Sequence, residues 1–176
     1  MSRLGIEVMV DLATAPVEPR GLRNALGRFA TGVTVITTRT VSGRIEGMTV
    51  NSFSSVSLDP PLVLWSLRRE ARSLPSFIEA GCFAINVLSA TQHRHAHCFV
   101  TTSENKFAAI DWVPGLGGCP LLANCIARFE CNTQQTMRAG DHLIFIGRIE
   151  RASYSEGQPL LFHAGAYHAA SPLPSA

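Results

Sequence analysis

The sequence lacks the compact motifs that announce nucleotide-dependent or hydrolytic chemistry. No G-x-G-x-x-G follows a strand and opens a helix. Gly115-Leu-Gly-Gly-Cys-Pro120 has the glycines, but at the wrong spacing and with a proline that suits a loop. A Walker A sequence, a nucleophile elbow and H-E-x-x-H are absent as well, so the signatures of the P-loop, the α/β-hydrolases and the H-E-x-x-H zinc proteases are missing. Charge is scarce, at 16% of residues, and the 15 lysines and arginines are scattered under a net charge of +2. No basic stripe of the kind a nucleic acid requires is present. No apolar run approaches the roughly 20 residues that span a bilayer, and Arg3 and Glu7 interrupt the N-terminal segment where a secretory signal would be continuously apolar. The expectation is a soluble, cytoplasmic protein with neither a membrane nor a nucleic acid as partner.

Cysteine is sparse and poorly spaced for cross-linking. Cys82, Cys98, Cys119, Cys125 and Cys131 are odd in number and contain no C-x-x-C, which argues against a disulfide framework or a structural zinc. Reduced, mostly buried thiols are expected, and Cys82 and Cys131 stand in strand-like contexts. His93, His95 and His97 invite a metal reading, but only His93 and His97 would share a helical face, and no acidic partner stands at ligand spacing. A surface helix without metal is expected.

What is present fits one domain: 176 residues, 46% of them hydrophobic, enough to bury a sizeable core. Residues 1–20 contain Pro16 and Pro19 with weak periodicity, and are expected to be a variable arm before a domain over 21–170 and a tail over 171–176. Leu22, Ala25, Leu26, Phe29 and Ala30 recur at helical spacing, with Gly32 as a stop. Val33–Thr38 is β-branched throughout and reads as a buried strand, turned at Ser42-Gly43 into Ile45–Thr49. Further strands are expected at Leu62–Leu67, Phe83–Leu88, Ile126–Thr133, His142–Arg151 and Leu160–Ala164. A short helix over Leu74–Ala80, capped by Ser73 and ended by Gly81, and a second helix opened by Ser89-Ala-Thr-Gln92 complete the pattern. Strands outnumber helices, so a mainly β, Greek-key antiparallel barrel with a few peripheral helices is expected.

The most informative stretch runs from Gly47 to Val63. Thr49, Asn51, Ser52, Ser54, Ser55 and Ser57 place six short hydrogen-bonding side chains in nine residues. That is too polar for a buried strand, and Val50, Phe53, Val56 and Leu58 recur too regularly for a linker. A strand, a loop facing a polar ligand, and a second strand account for both facts. Asp59-Pro60-Pro61 then forces a turn.

This run resembles the flavin-contacting signature of the short-chain flavin reductases, the reductase components of two-component flavin-dependent monooxygenases, built on the FMN-binding split β-barrel. Arg23–Thr37, Lys106–Trp112, Gly140-Asp-His142 and Pro159–Tyr167 resemble further segments of that family, in the same order. The resemblance implies an NAD(P)H:flavin oxidoreductase that uses FMN or FAD with NADH or NADPH, pairs as a homodimer and feeds a separate monooxygenase. It implies flavin contacts at Thr49, Val50, Asn51, Ser52, Ser54, Ser55, Trp65, Ser66 and Leu67, phosphate contacts at Arg72 and Ser73, and nicotinamide contacts at His142 and Tyr167. Ala71 stands where many relatives carry Ser, which removes one phosphate donor. No catalytic side chain is implied, because hydride passes directly between cofactors held in register. Two other uses of the same fold stay open: a tightly held flavin acting on its own substrate, and a non-catalytic flavin-binding module. The two-sided apolar run Leu143-Ile-Phe-Ile146 independently suggests a symmetric partner.

Overall fold

The computed structural model of the protein describes residues 19–101 and 105–172. The expected arm and tail therefore lie outside the described residues, apart from Pro19, Arg20, Ser171 and Pro172. In chain order the elements are α1 (Pro19–Leu26), β1 (Thr31–Gly32), β2 (Thr34–Arg39), β3 (Ile45–Val50), β4 (Ser54–Leu58), β5 (Pro61–Arg68), α2 (Leu74–Ala80) and β6 (Cys82–Val87). There follow α3 (His93–Val100), β7 (Trp112–Pro114), β8 (Pro120–Leu122), β9 (Ala127–Ala139), β10 (His142–Tyr154), β11 (Leu160–His163) and β12 (Ala166–Ala169).

Seven strands form one antiparallel sheet in the order β3-β2-β6-β9-β10-β5-β4. Its two edges, β3 and β4, are consecutive in sequence, so three residues, Asn51 to Phe53, carry the chain from one edge to the other. The sheet therefore curls until its edges face across a seam that the backbone bridges but no ladder closes. The connection from β5 through α2 to β6 skips β10 and β9 in the order of the sheet, the non-neighbour link expected of a Greek key. The result is a split barrel. A second sheet, β1-β11-β12, packs beside it.

Two cores result from this arrangement. Ile36, Val63, Trp65, Leu67, Phe83, Ile85 and Phe145 fill the barrel, with Trp65 stacked on Phe145 at 4.5 Å. Val33, Val35, Leu88, Phe99, Leu122 and Leu160 form a second core under α3 and the smaller sheet. β2 contributes to both, Ile36 to one and Val35 to the other, which is why its sequence is apolar or β-branched on both alternations. Asn86 links the layers: its amide donates to Val35 O at 3.1 Å and to Thr37 Oγ1 at 3.2 Å, and its carbonyl accepts from Leu122 N at 2.8 Å.

The helix expected over Leu22–Ala30 is displaced. It starts at Pro19, a residue well suited to a first helical position, and ends at Leu26. Thr31 and Gly32 then pair with Phe162 and Leu161 in a ladder that replaces a further helical turn. Gly32 is thus a strand residue rather than a helix stop, and Leu26 and Phe29 remain 67% and 77% exposed. The loop expected between Pro114 and Pro120 carries β7 and β8 at its ends, and β12 extends the chain beyond the expected last strand. Ser73 precedes α2 as expected but makes no side-chain capping bond; Gly81 ends it with φ of 63°.

Candidate functional site

The site follows from an unpaired edge. β3 borders the seam, and one side of its backbone has no strand neighbour. Gly47 O turns to that side and accepts from Lys106 Nζ at 3.2 Å. By the alternation of an antiparallel strand, the Thr49 amide and carbonyl face the same way. Two cavities lie along this edge. The smaller, about 440 Å³, is lined by Met48 to Ser52, Ser66, Leu67, Arg68, Glu70, Ala71 and His142. The larger, about 760 Å³, is lined by Arg44 to Met48, Glu70 to Ser73, Phe99 to Thr101, Lys106 and Phe107. They share Met48, Glu70 and Ala71, and together form one two-lobed trough.

Of the residues expected in a site, Thr49, Val50, Asn51, Ser52, Ser66, Leu67 and His142 come together around the smaller lobe, and Arg72 and Ser73 at the larger. Several of their side chains are already engaged. Thr49 Oγ1 donates to Ala96 O at 2.8 Å, anchoring α3 to the strand. Ser52 Oγ donates to Ser66 O at 3.2 Å and accepts from Ser66 N at 3.0 Å, so this hydroxyl latches the seam-bridging loop to β5. These residues therefore offer their backbone, more than their hydroxyls, to a ligand. Arg72 is different: it is exposed and has no ion pair or hydrogen bond among the described residues. The Ser73 hydroxyl has only the Met48 sulfur, at 3.9 Å.

Four expected residues are not brought to the trough. Ser54 and Ser55 lie on β4, exposed, with Ser54 Oγ donating to Ser55 O. The Trp65 side chain is fully buried in the barrel core, because its register partner is Phe145 and both rings point inward. Tyr167 packs edge-on against Phe162 at 5.5 Å and His97 at 5.2 Å and lines neither lobe. Burial there raises its phenol pKa.

His142 is held by its turn. Gly140, at φ of 58°, opens the two-residue hairpin between β9 and β10, a position that favours glycine. Asp141 Oδ1 lies 2.7 Å from His142 Nδ1, which leaves Nε2 as the free ring nitrogen. That hydrogen bond holds the Asp141 carboxyl below the usual carboxylate range.

Neither Lys106, named only as the start of a family-like segment, nor Arg44 was expected in the site, yet both line the larger lobe. Arg44 pairs with Glu46 at 3.0 Å and donates to Ser76. Burial lowers the Lys106 pKa, opposed by Glu46 and Cys98. One signal was available: Lys106 is the only lysine in the chain, every other strong cation being arginine.

A strand edge that alternates amide donors with carbonyl acceptors matches a flat heterocycle with alternating acceptors and donors on its rim. The free Arg72 guanidinium and Ser73 hydroxyl match a phosphate. A split barrel with such a trough along its seam is the frame of a nucleotide-cofactor-binding protein, and the residues present fit a flavin mononucleotide unit. Sequence comparison makes the assignment specific. Residues 26–171 match the flavin reductase like domain, and the chain belongs to that family.

Its relatives carry the corresponding names. It is 49% identical over 148 residues to the FMN reductase (NADH) SmoA of Agrobacterium fabrum, covering 84% of each chain. It is 36% identical over 162 residues to the flavin-dependent monooxygenase reductase subunit HsaB of Rhodococcus jostii, covering 92% of this chain and 83% of that one. A Rhizobium meliloti relative named "Probable flavin reductase" is 47% identical over 150 residues, and the chain spans about half its length, 48%. Among solved structures, the NADH:FAD oxidoreductase SgcE6 of Streptomyces globisporus superposes with a TM-score of 0.88 at 34% identity, over 96% of this chain and all of that one.

Proposed function

We propose that this chain is an NAD(P)H:flavin oxidoreductase that reduces FMN or FAD and hands the reduced flavin to a separate monooxygenase. The observation that carries the proposal is the two-lobed trough on the unpaired edge of β3. It presents backbone donors beside Thr49 to Ser52 in one lobe and a free guanidinium and hydroxyl in the other. The flavin, when bound, supplies the two-electron acceptor. The protein's residues bind and orient: the β3 edge and Ser66-Leu67 hold the ring system, and Arg72 and Ser73 hold the phosphate in spite of Ala71. His142 Nε2, on the wall of the smaller lobe, contacts the nicotinamide nucleotide. No side chain needs to move a proton for hydride to pass between two cofactors in register. The names of relatives such as SmoA and HsaB support both the reaction and the dependence on a partner oxygenase.

The protein acts as a homodimer in this reading. Leu143 and Phe145 of β10 point into the barrel, leaving Ile144 and Ile146 half-buried on its outer face. Leu58 on the edge strand β4 is 94% exposed, a further apolar group for a symmetric partner to cover. Light scattering that returned a monomer at micromolar concentration would overturn the dimer. The function itself is tested by following nicotinamide oxidation with FMN and FAD crossed against NADH and NADPH. Flavin-dependent oxidation is expected in at least one of these pairings; none in any pairing rejects the proposal.

A further inference from the structure

Away from the trough, two sulfurs face one another. Cys82 Sγ, on the first residue of β6, lies 3.6 Å from Cys119 Sγ, at the end of the turn that enters β8. Cys119 is buried and Cys82 half-buried, so Cys82 is the member of the pair nearer the solvent. The turn is shaped around the Cys82 sulfur, since a side-chain carbon at Gly117 would collide with it. Gly117 and Gly118 both hold positive φ, 61° and 77°. The turn is tied by Gly115 N to Cys119 O at 2.9 Å and Cys119 N to Leu116 O at 3.1 Å. Leu116 N also donates to the Glu130 carboxylate, which pairs with Arg151 at 2.7 Å. Two firmly held elements thus present the sulfurs to each other, and two glycines between Leu116 and Cys119 give the backbone freedom to close the remaining gap.

We propose that Cys82 and Cys119 form a peroxide-oxidisable dithiol, a modification site in which Cys82 attacks and Cys119 resolves. The Cys82 thiolate attacks one oxygen of hydrogen peroxide. The O–O bond breaks, and the departing hydroxide takes up a proton to become water, leaving a sulfenic acid on Cys82. The Cys119 sulfur then displaces that hydroxyl: an S–S bond forms, the S–O bond breaks, and the Cys119 proton leaves with the hydroxyl as a second water. Two thiols lose two hydrogens, and one peroxide becomes two waters. The environment suits these roles. The hydrogen bond from Cys119 lowers the Cys82 pKa to about 7, whereas that same bond, reinforced by burial, pushes Cys119 far up. Burial raises Cys125 to about 11 and Cys131 to about 12, which keeps those thiols protonated at neutral pH.

The source of peroxide rests on the function proposed above, because free reduced flavin gives hydrogen peroxide with oxygen whenever no acceptor consumes it. The bond would close a loop, with 37 positions separating its ends, that contains α3, Lys106 and Phe107, one wall of the larger lobe. Oxidation would therefore tie down the side of the trough that meets the phosphate end of the ligand.

The test uses the full reduced chain and added hydrogen peroxide, with no flavin or nicotinamide present, so it reads the dithiol whether or not the chain reduces flavin. One equivalent should remove about 2 Da from the intact mass, reversed by dithiothreitol. A non-reducing peptide map should join the Cys82 and Cys119 peptides within one chain. Cys119→Ser should instead accumulate a dimedone-reactive Cys82, and Cys82→Ser should show no mass loss. Five free thiols persisting after peroxide treatment, a link between Cys82 residues of two chains, or the same mass loss in Cys82→Ser would each overturn the proposal.

Discussion

Gly47 is where strand, helix and trough press closest, and replacing it by alanine should damage stability and binding together. Its ideal methyl carbon would lie 2.6 and 2.8 Å from two carbons of the Phe99 ring and 2.9 Å from the tip of Phe107. Carbons in contact sit about 3.5–4.0 Å apart, so both rings must withdraw by roughly 1 Å. Phe99 has nowhere to go, being 1% exposed and edge-on to Phe107 at 5.0 Å. Phe107 is in turn edge-on to Trp112 at 6.1 Å, so the displacement passes outward along the row. Overpacking of this kind costs about 1–3 kcal/mol. For a chain of this length each kcal/mol is worth roughly 2–4 °C, so Tm should fall by about 2–12 °C. Phe107 and its neighbour Lys106 line the larger lobe, so flavin affinity, read by fluorescence titration, should fall with it. Gly147→Ala is the control. It would meet Phe83 and Cys131 inside the barrel, away from both lobes, and should lose stability while keeping flavin affinity. A Gly47→Ala protein with wild-type Tm, or one destabilised with unchanged flavin affinity, would refute the reasoning.

His142→Ala should raise the Michaelis constant for the nicotinamide by the equivalent of about 1–3 kcal/mol, with flavin affinity near wild type. Lower thermal stability with both cofactors' constants unchanged would end the nicotinamide assignment. Ser73→Ala should show the converse, weaker flavin with little direct effect on the nicotinamide; an unchanged flavin dissociation constant would remove Ser73 from the phosphate site. Asn86→Ala leaves the Leu122 amide without its buried acceptor and should cost about 2–4 kcal/mol in denaturant unfolding. A loss below a few tenths would mean that water replaces the side chain. Cys82 titrates below the ordinary thiol value, so its thiolate appears at lower pH. Its rate of alkylation by iodoacetamide should rise through about pH 7 and level off. A midpoint near 9 would contradict the geometry.

The polar run Gly47–Ser57 was legible because its composition suits neither core nor linker, and the β-branched run at β2 because it fits only a strand buried on two sides. Trp65 was harder. Alternation along β5 says that Trp65 and Ser66 face opposite ways, but only the pairing of Trp65 with Phe145 decides which of them points inward. The hydroxyls of Thr49 and Ser52 pose a similar difficulty, since their partners Ala96 and Ser66 lie 47 and 14 positions away. The contact between Lys106 and Gly47 spans 59 positions and leaves no periodic trace. The helix before β1 was misplaced because its apolar spacing was real but found no core: α1 buries none of its residues. The ladder to β11 decided where it ends.

A chain with two hydrophobic cores could melt in two steps. Here β2 gives Ile36 to one core and Val35 to the other, and Asn86 on the neighbouring strand bonds to β2 and to Leu122 of β8. Neither core can open while the other keeps its packing, because each would have to surrender the same strand. Unfolding should therefore be a single cooperative event, with the amides of β2 and β6 exchanging their hydrogens last, only through opening of the whole molecule. The edge strand β3 and the seam-bridging residues Asn51 to Phe53, paired on one side at most, would exchange through smaller openings, so the part of the protein that meets its ligand can breathe while the wall behind it stays shut.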